Sequence, residues 1–140
     1  RIVDLGLTDH VTLLGAISAE AVQDKLMAAH VFVLASWSEP LGVAYMEAMS
    51  CAVPTVGTSA GGVPELIEDG VNGVLVPPRA PEQLAACLAS LASDPARLVA
   101  LSAAGRKTVK EGFSARKGAA TLLLGLTADG TARLSADRPI

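Results

Sequence analysis

The sequence predicts an α/β domain built on a parallel sheet, and three observations carry that expectation. Short apolar strands alternate with helix-forming segments. The loops between them are short and punctuated by Gly and Pro. The run Val31–Ala35 is apolar throughout, without the alternation of a sheet that faces water. Such a run suits a strand covered on both faces.

In chain order, Val11–Leu14 reads as a short strand ended by Gly15. Ser18 is a good N-cap for a helix over about Ala19–Ala29. His30 precedes the buried strand Val31–Ala35, Ser36–Pro40 form a loop, and Leu41–Ser50 read as a helix rich in good helix formers. Pro54 opens a strand over Thr55–Gly57, and Thr58–Gly62 form a loop of small residues. Pro64 is placed to start a short helix through Glu68. Asp69-Gly70 and Asn72-Gly73 are turn dipeptides before the last strand, Val74–Val76, which Pro77-Pro78 stop. Helices then run from Pro81 to about Leu91 and from Pro95 to about Lys110. Apolar periodicity is absent from Thr127 onward, and that tail is expected to be poorly ordered.

The 140 residues suffice for one modest domain. Apolar residues at 51% and charged residues at 18% fit a globular chain, and aromatics at 3% leave its core to Ala, Val and Leu. The net charge of −3 gives no electrostatic reason to expect nucleic acid. Cys51 and Cys87 lie far apart without a C-x-x-C and read as two buried thiols of a cytoplasmic protein. No apolar run approaches the ~20 residues of a membrane span, and no signal peptide is visible. Arg1 stands inside what reads as a helix end, so the chain is expected to be a fragment. Between Ile2 and Pro78 the only Lys or Arg is Lys25.

The chemistry concentrates in Ser36–Met49. Glu39 is expected in a loop at the C-terminal end of a buried strand, the edge where open α/β sheets bind ligands. Helix-start N–H groups suit a phosphate there. Glu47 is expected almost two turns inside the following helix, up to ~12 Å from Glu39 at ~1.5 Å rise per residue. A carboxylate is an acceptor-only group that binds paired sugar hydroxyls by charge-assisted bonds. Two carboxylates flanking a helix start therefore fit a sugar, a phosphate bridge and a ribose. The same spacing also fits two solvated surface side chains.

Glu39 and Glu47, with seven residues between them, resemble the E-x7-E motif of glycosyltransferase family 4. Ser38–Gly42 and Glu47–Met49 match that motif's setting. Val11–Gly15, Ser59–Glu65, Gly70–Pro78 and Gly112-Phe113-Ser114 are similar to further family motifs in the family's order. The resemblance covers about residues 1–118, leaving 119–140 as a tail. It implies a Rossmann-like parallel sheet that is part of the C-terminal domain of a GT-B fold. It further implies a retaining transferase with a UDP- or GDP-sugar donor and no cofactor or metal. Glu39 would then be catalytic, holding hydroxyls of the transferred sugar. Backbone N–H groups of Leu41 and Gly42 would face the sugar and diphosphate. Glu47 would take the ribose, and Leu14, Gly15 and Ala16 would border the base.

Some positions depart from the family pattern. Pro40 stands where Gly is common and removes one N–H donor. Leu41 stands for Phe, Ala35 for Pro and His30 for Asp. His30 sits away from the ligand edge and is not expected to be a base, and His10 reads as a surface residue. Gly61 and Gly62 permit either close packing or an unusual backbone at the cleft edge, or a plain turn. Glu65 and Pro77 are expected to keep structure.

The family's acceptor domain and the first two strands of its donor domain would precede Arg1. In the family's sheet order 3-2-1-4-5-6, the segment at Val11 would be the third strand, unpaired with the fourth at Val31. The isolated chain is then expected to be marginal and inactive, with any membrane contact made only through the missing domain. Alternatives are a non-catalytic nucleotide-sugar-binding remnant and a GT-B epimerase or phosphorylase.

Overall fold

The computed structural model of the chain describes residues 1–40 and 42–113. Leu41, Ser114 and the expected tail at 119–140 lie outside the described residues. Helix α1 spans Ala19–Ala28, with the Ser18 side chain accepting the Ala21 N–H at 3.2 Å, as the capping residue predicts. Strand β1 (Phe32–Leu34) leads to α2 (Val43–Ser50), β2 (Thr55–Thr58), α3 (Val63–Leu66) and β3 (Val74–Val76). Helices α4 (Pro81–Ala92) and α5 (Pro95–Gly112) follow. The strands form one parallel sheet in the order β1-β2-β3, with Phe32 opposite Thr55 and Val56 opposite Val74.

Both faces of the central strand β2 are covered, while β1 at the sheet edge leaves Val33 exposed. Phe32, Leu34 and Leu75 pack on a cluster of Tyr45, Met49, Val63, Leu66 and Ile67. Val56, Val74 and Val76 turn the other way, onto Leu91 and Leu101. The period-2 geometry of a strand sends alternate residues to opposite faces, and the run Val31–Ala35, expected to be buried throughout, is covered only in part: β1 lies at the sheet edge, with Val33 and Ala35 exposed. In α2, Tyr45, Ala48 and Met49 are buried while Val43, Glu47 and Ser50 are exposed. That is the i, i+3, i+4 stripe of a helix with one face on the core. Burying Tyr45 and Met49 contributes about 1.5–3 kcal/mol each.

Val11–Leu14, expected as a strand, is not one. It pairs with no strand among the described residues, and Leu13 is 82% exposed. A four-residue apolar segment without a neighbour has no ladder for its backbone groups and does not hold as a strand. The segment does not pair with β1, as the sheet order implied. Two smaller expectations also fail. Helix α2 starts at Val43 rather than Leu41, because Gly42 takes a left-handed conformation (φ +77°) that ends helical continuity. Cys51 and Cys87 are partly exposed rather than buried. His10 and His30 are both exposed.

Candidate functional site

The loop Ser36–Gly42 leaves the C-terminal end of β1 and is fastened from three sides. Thr58, at the end of β2, donates its hydroxyl to the Ser36 carbonyl at 2.5 Å. Gly62 donates its N–H to the Glu39 carbonyl at 2.9 Å. Gly42 donates its N–H to the Glu39 carboxylate at 3.1 Å.

The contact with Gly61 and Gly62 admits no side chain. A Cβ at Gly61 would lie 2.4 Å from the Glu39 carbonyl oxygen, and one at Gly62 would lie 2.3 Å from that of Pro40. Gly61 also has φ +59°. Of the readings the sequence left open, close packing and an unusual backbone therefore both hold.

Tyr45 is the residue that sequence reasoning missed. It is the chain's only tyrosine and is 0% exposed. Its hydroxyl donates to the Leu34 carbonyl at 2.5 Å, and its ring meets Phe32 edge-on with centroids 5.7 Å apart. A Cβ at Gly42 would meet that ring at 2.9 Å. Burial pushes the Tyr45 phenol above its ordinary pKa against a lowering backbone hydrogen bond from Thr58, and the Glu39 charge raises it further. Tyr45 thus ties the ends of β1 and β2 to the start of α2, with the Glu39 carboxylate in electrostatic range. Its helical position, three and four residues before Ala48 and Met49, was the available clue.

Glu47 is exposed on α2, just over one turn from its start rather than almost two. It lines a groove of about 460 Å³ between α1, α2 and the end of α5, with Val22, Leu26, Met46 and Phe113 on the walls. Glu39 is half-buried at the sheet edge and is not among the residues of that groove. Leu14, Gly15 and Ala16 form an exposed stretch before α1, and nothing lies within 4 Å of a Cβ at Gly15. Glu65 is exposed on α3.

The structure corrects the charge reading. The sequence offered Lys25 as the only cation near the motif. Arg79, 42 residues after Trp37 in the chain, brings its guanidinium carbon to 4.6 Å from the centre of the Trp37 ring. Arg79 has φ +60°, a conformation that costs a residue with a Cβ about 1–2 kcal/mol. The sequence gave no hint of this contact, because it depends on β1 and β3 ending on the same edge of the sheet.

Comparison with known proteins identifies the family. The family described as glycosyl transferases group 1 matches residues 1–108. D-inositol 3-phosphate glycosyltransferase of Mycolicibacterium vanbaalenii is 41% identical over 96 residues, 68% of this chain and 21% of that protein. The C-terminal domain of the glycosyl transferase group 1 family protein LpcC of Francisella tularensis has a TM-score of 0.75 at 29% identity, covering 81% of this chain and 59% of that one. HepE of Anabaena in complex with UDP-glucose has a TM-score of 0.83 at 27% identity, covering 91% of this chain and 35% of that one. The chain spans about a quarter of the length of the curated relatives it matches, between 21% and 26% for the first three.

Proposed function

The chain belongs to the group 1 glycosyl transferases, and on that premise we propose that it forms the donor-binding half of a retaining glycosyltransferase. Its fold is in part the Rossmann-like C-terminal domain of a GT-B enzyme. The whole protein transfers a sugar from a UDP- or GDP-linked donor to an acceptor held largely by the facing domain. The nucleotide sugar is a substrate, and the reading calls for no metal or other cofactor. No single described helix is long and apolar enough to cross a membrane, and the proposed site of action is the cytoplasm.

One observation carries the proposal. A half-buried carboxylate, Glu39, stands at the C-terminal end of β1 against the start of α2, and a second, Glu47, projects from that helix. Glu39 accepts hydrogen bonds from hydroxyls of the transferred sugar. The N–H groups of Gly42 and the first turn of α2 serve the diphosphate, whose charge grows as it leaves. Glu47 accepts from the ribose hydroxyls, and Leu14, Gly15 and Ala16 border the base. The UDP-glucose complex of the Anabaena protein supports this choice of ligand class.

The test uses the full-length protein that carries these residues. Titration with UDP-glucose and GDP-mannose is expected to show saturable binding of one of them. Product analysis by NMR is expected to show retention at the anomeric carbon. Inversion would exclude the retaining step, binding without transfer would favour a non-catalytic module, and absence of nucleotide-sugar binding would sink the proposal. The 140 residues alone are expected to transfer no sugar.

A further inference from the structure

We propose that Trp37 and Arg79 form a second subsite, beside the Glu39 loop, for a sugar unit that carries an anionic group. Trp37 stands two residues before Glu39, is 72% exposed, and carries the Arg79 guanidinium on one face. At that exposure most of the ring remains uncovered. Arg79 is the only Lys or Arg in the three loops that follow β1, β2 and β3 at this edge of the sheet. Among the described residues no carboxylate pairs with it, and its guanidinium lies over the indole ring. Trp37 and Arg79 border a depression of about 140 Å³ floored by Ala35, Val76, Pro77 and Leu84. That volume is well below the ~300 Å³ of a whole-ligand pocket, so it admits one group of a larger ligand.

The chemistry follows from these parts. An exposed indole offers a rigid apolar face with little conformational entropy to lose, which suits the C–H face of a sugar ring. A guanidinium without a carboxylate partner offers a planar fork of donors that matches a phosphate or carboxylate bidentately. Stacking on the ring holds that fork in place. A neutral sugar uses only the indole, and a bare anion uses only the arginine. A ring whose anionic substituent extends past the indole edge to the guanidinium uses both. Binding at this subsite stands independently of the donor reading.

Trp37 is the single tryptophan of these 140 residues, and the difference in emission between the full-length protein and its Trp37→Phe variant reports on the subsite. The full-length protein is titrated with glucose 6-phosphate, glucuronate, glucose and inorganic phosphate. Glucose 6-phosphate or glucuronate is expected to change the Trp37 emission saturably, at a half-saturating concentration at least tenfold below those of glucose and inorganic phosphate. Arg79→Gln should raise that concentration at least tenfold, and Arg79→Lys should recover part of the loss. Because Arg79 is exposed, both variants keep the fold. A Trp37→Ala variant, followed by ligand-observed NMR, should lose the same binding. No saturable response to either anionic sugar, an equal response to inorganic phosphate, or indifference to Arg79→Gln would each overturn the proposal. Glu47→Ala separates the two readings: it should weaken nucleotide-sugar binding and leave the anionic-sugar response unchanged. Loss of nucleotide-sugar binding alone would count against the donor site and not against this one.

Discussion

The carboxylate of Glu39 accepts a hydrogen bond from the backbone N–H of Gly42 at 3.1 Å, so the loop closes on itself at the start of α2. In the proposed donor complex both groups face ligand atoms. A sugar hydroxyl or phosphate oxygen that engages them replaces this internal bond. The exchange keeps both groups hydrogen-bonded throughout, which avoids the cost of leaving a partly buried carboxylate or N–H unsatisfied.

The two carboxylates are expected to separate kinetically in the full-length protein. Glu39→Ala should lower kcat, because its contacts concern the sugar that changes in the transition state. Glu47→Ala should mainly raise KM for the donor, as loss of a uniform-binding contact does. Each loss of a charge-assisted hydrogen bond should cost about 1.5–3 kcal/mol. Steady-state kinetics check this, and unchanged parameters with both residues replaced would end the assignment.

Gly61→Ala should unfold the Glu39 loop from its seat. The added Cβ would lie 2.4 Å from a main-chain oxygen that cannot rotate away, and the backbone has φ +59°. The backbone cost alone is about 1–3 kcal/mol. Calorimetry should show a lower Tm, and donor binding should weaken with it. Gly70→Ala is the control. Its φ is +74° but nothing lies within 4 Å of the added atom, so it should lose less stability and leave donor binding intact.

Tyr45 is expected to make stability fall at alkaline pH. Its folded pKa lies above the ordinary value near 10, chiefly through burial. Below about pH 10 the phenol is neutral in both states and its contribution is fully present. As pH rises past that value the unfolded chain loses the proton first, and stability declines until the folded pKa is passed. Tyr45→Phe should remove this slope, and at pH 7 should cost about 1–2 kcal/mol for the bond to Leu34. Urea unfolding between pH 7 and 11 measures both, within the range where the chain unfolds reversibly. An equal alkaline slope in the variant would show that another group carries it.

Asn72→Ala should rank among the more damaging single changes far from the site. The buried Asn72 amide accepts from the Glu68 N–H at 2.8 Å and donates to the Leu66 carbonyl at 3.1 Å and the Thr108 hydroxyl at 3.0 Å. It therefore pins the turn after α3 to α5. Truncation leaves buried partners unsatisfied, at a cost of about 2–3 kcal/mol. Thermal unfolding checks this, and a change within about 0.5 kcal/mol would contradict the role.

The sequence by itself determined the fold class and most of the elements, Val11–Leu14 excepted. The Ser18 cap, the apolar run at Val31, the Pro starts of α4 and α5, and the turn at Asn72-Gly73 act through neighbours in the chain, and so are legible locally. Motif order also placed Glu39 at a strand end and Glu47 on a helix. Only the tertiary structure decided what these residues meet. Gly61 is tight because β1 and β2 end side by side. Tyr45 is a clamp because its helix lies across that edge. Val11–Leu14 is no strand because pairing, not apolarity, makes one. Arg79 reaches Trp37 because parallel strands bring all their C-terminal ends, and the loops that follow, to one side. Each of these rests on contacts between residues remote in the chain, for which no local pattern in the sequence is selected.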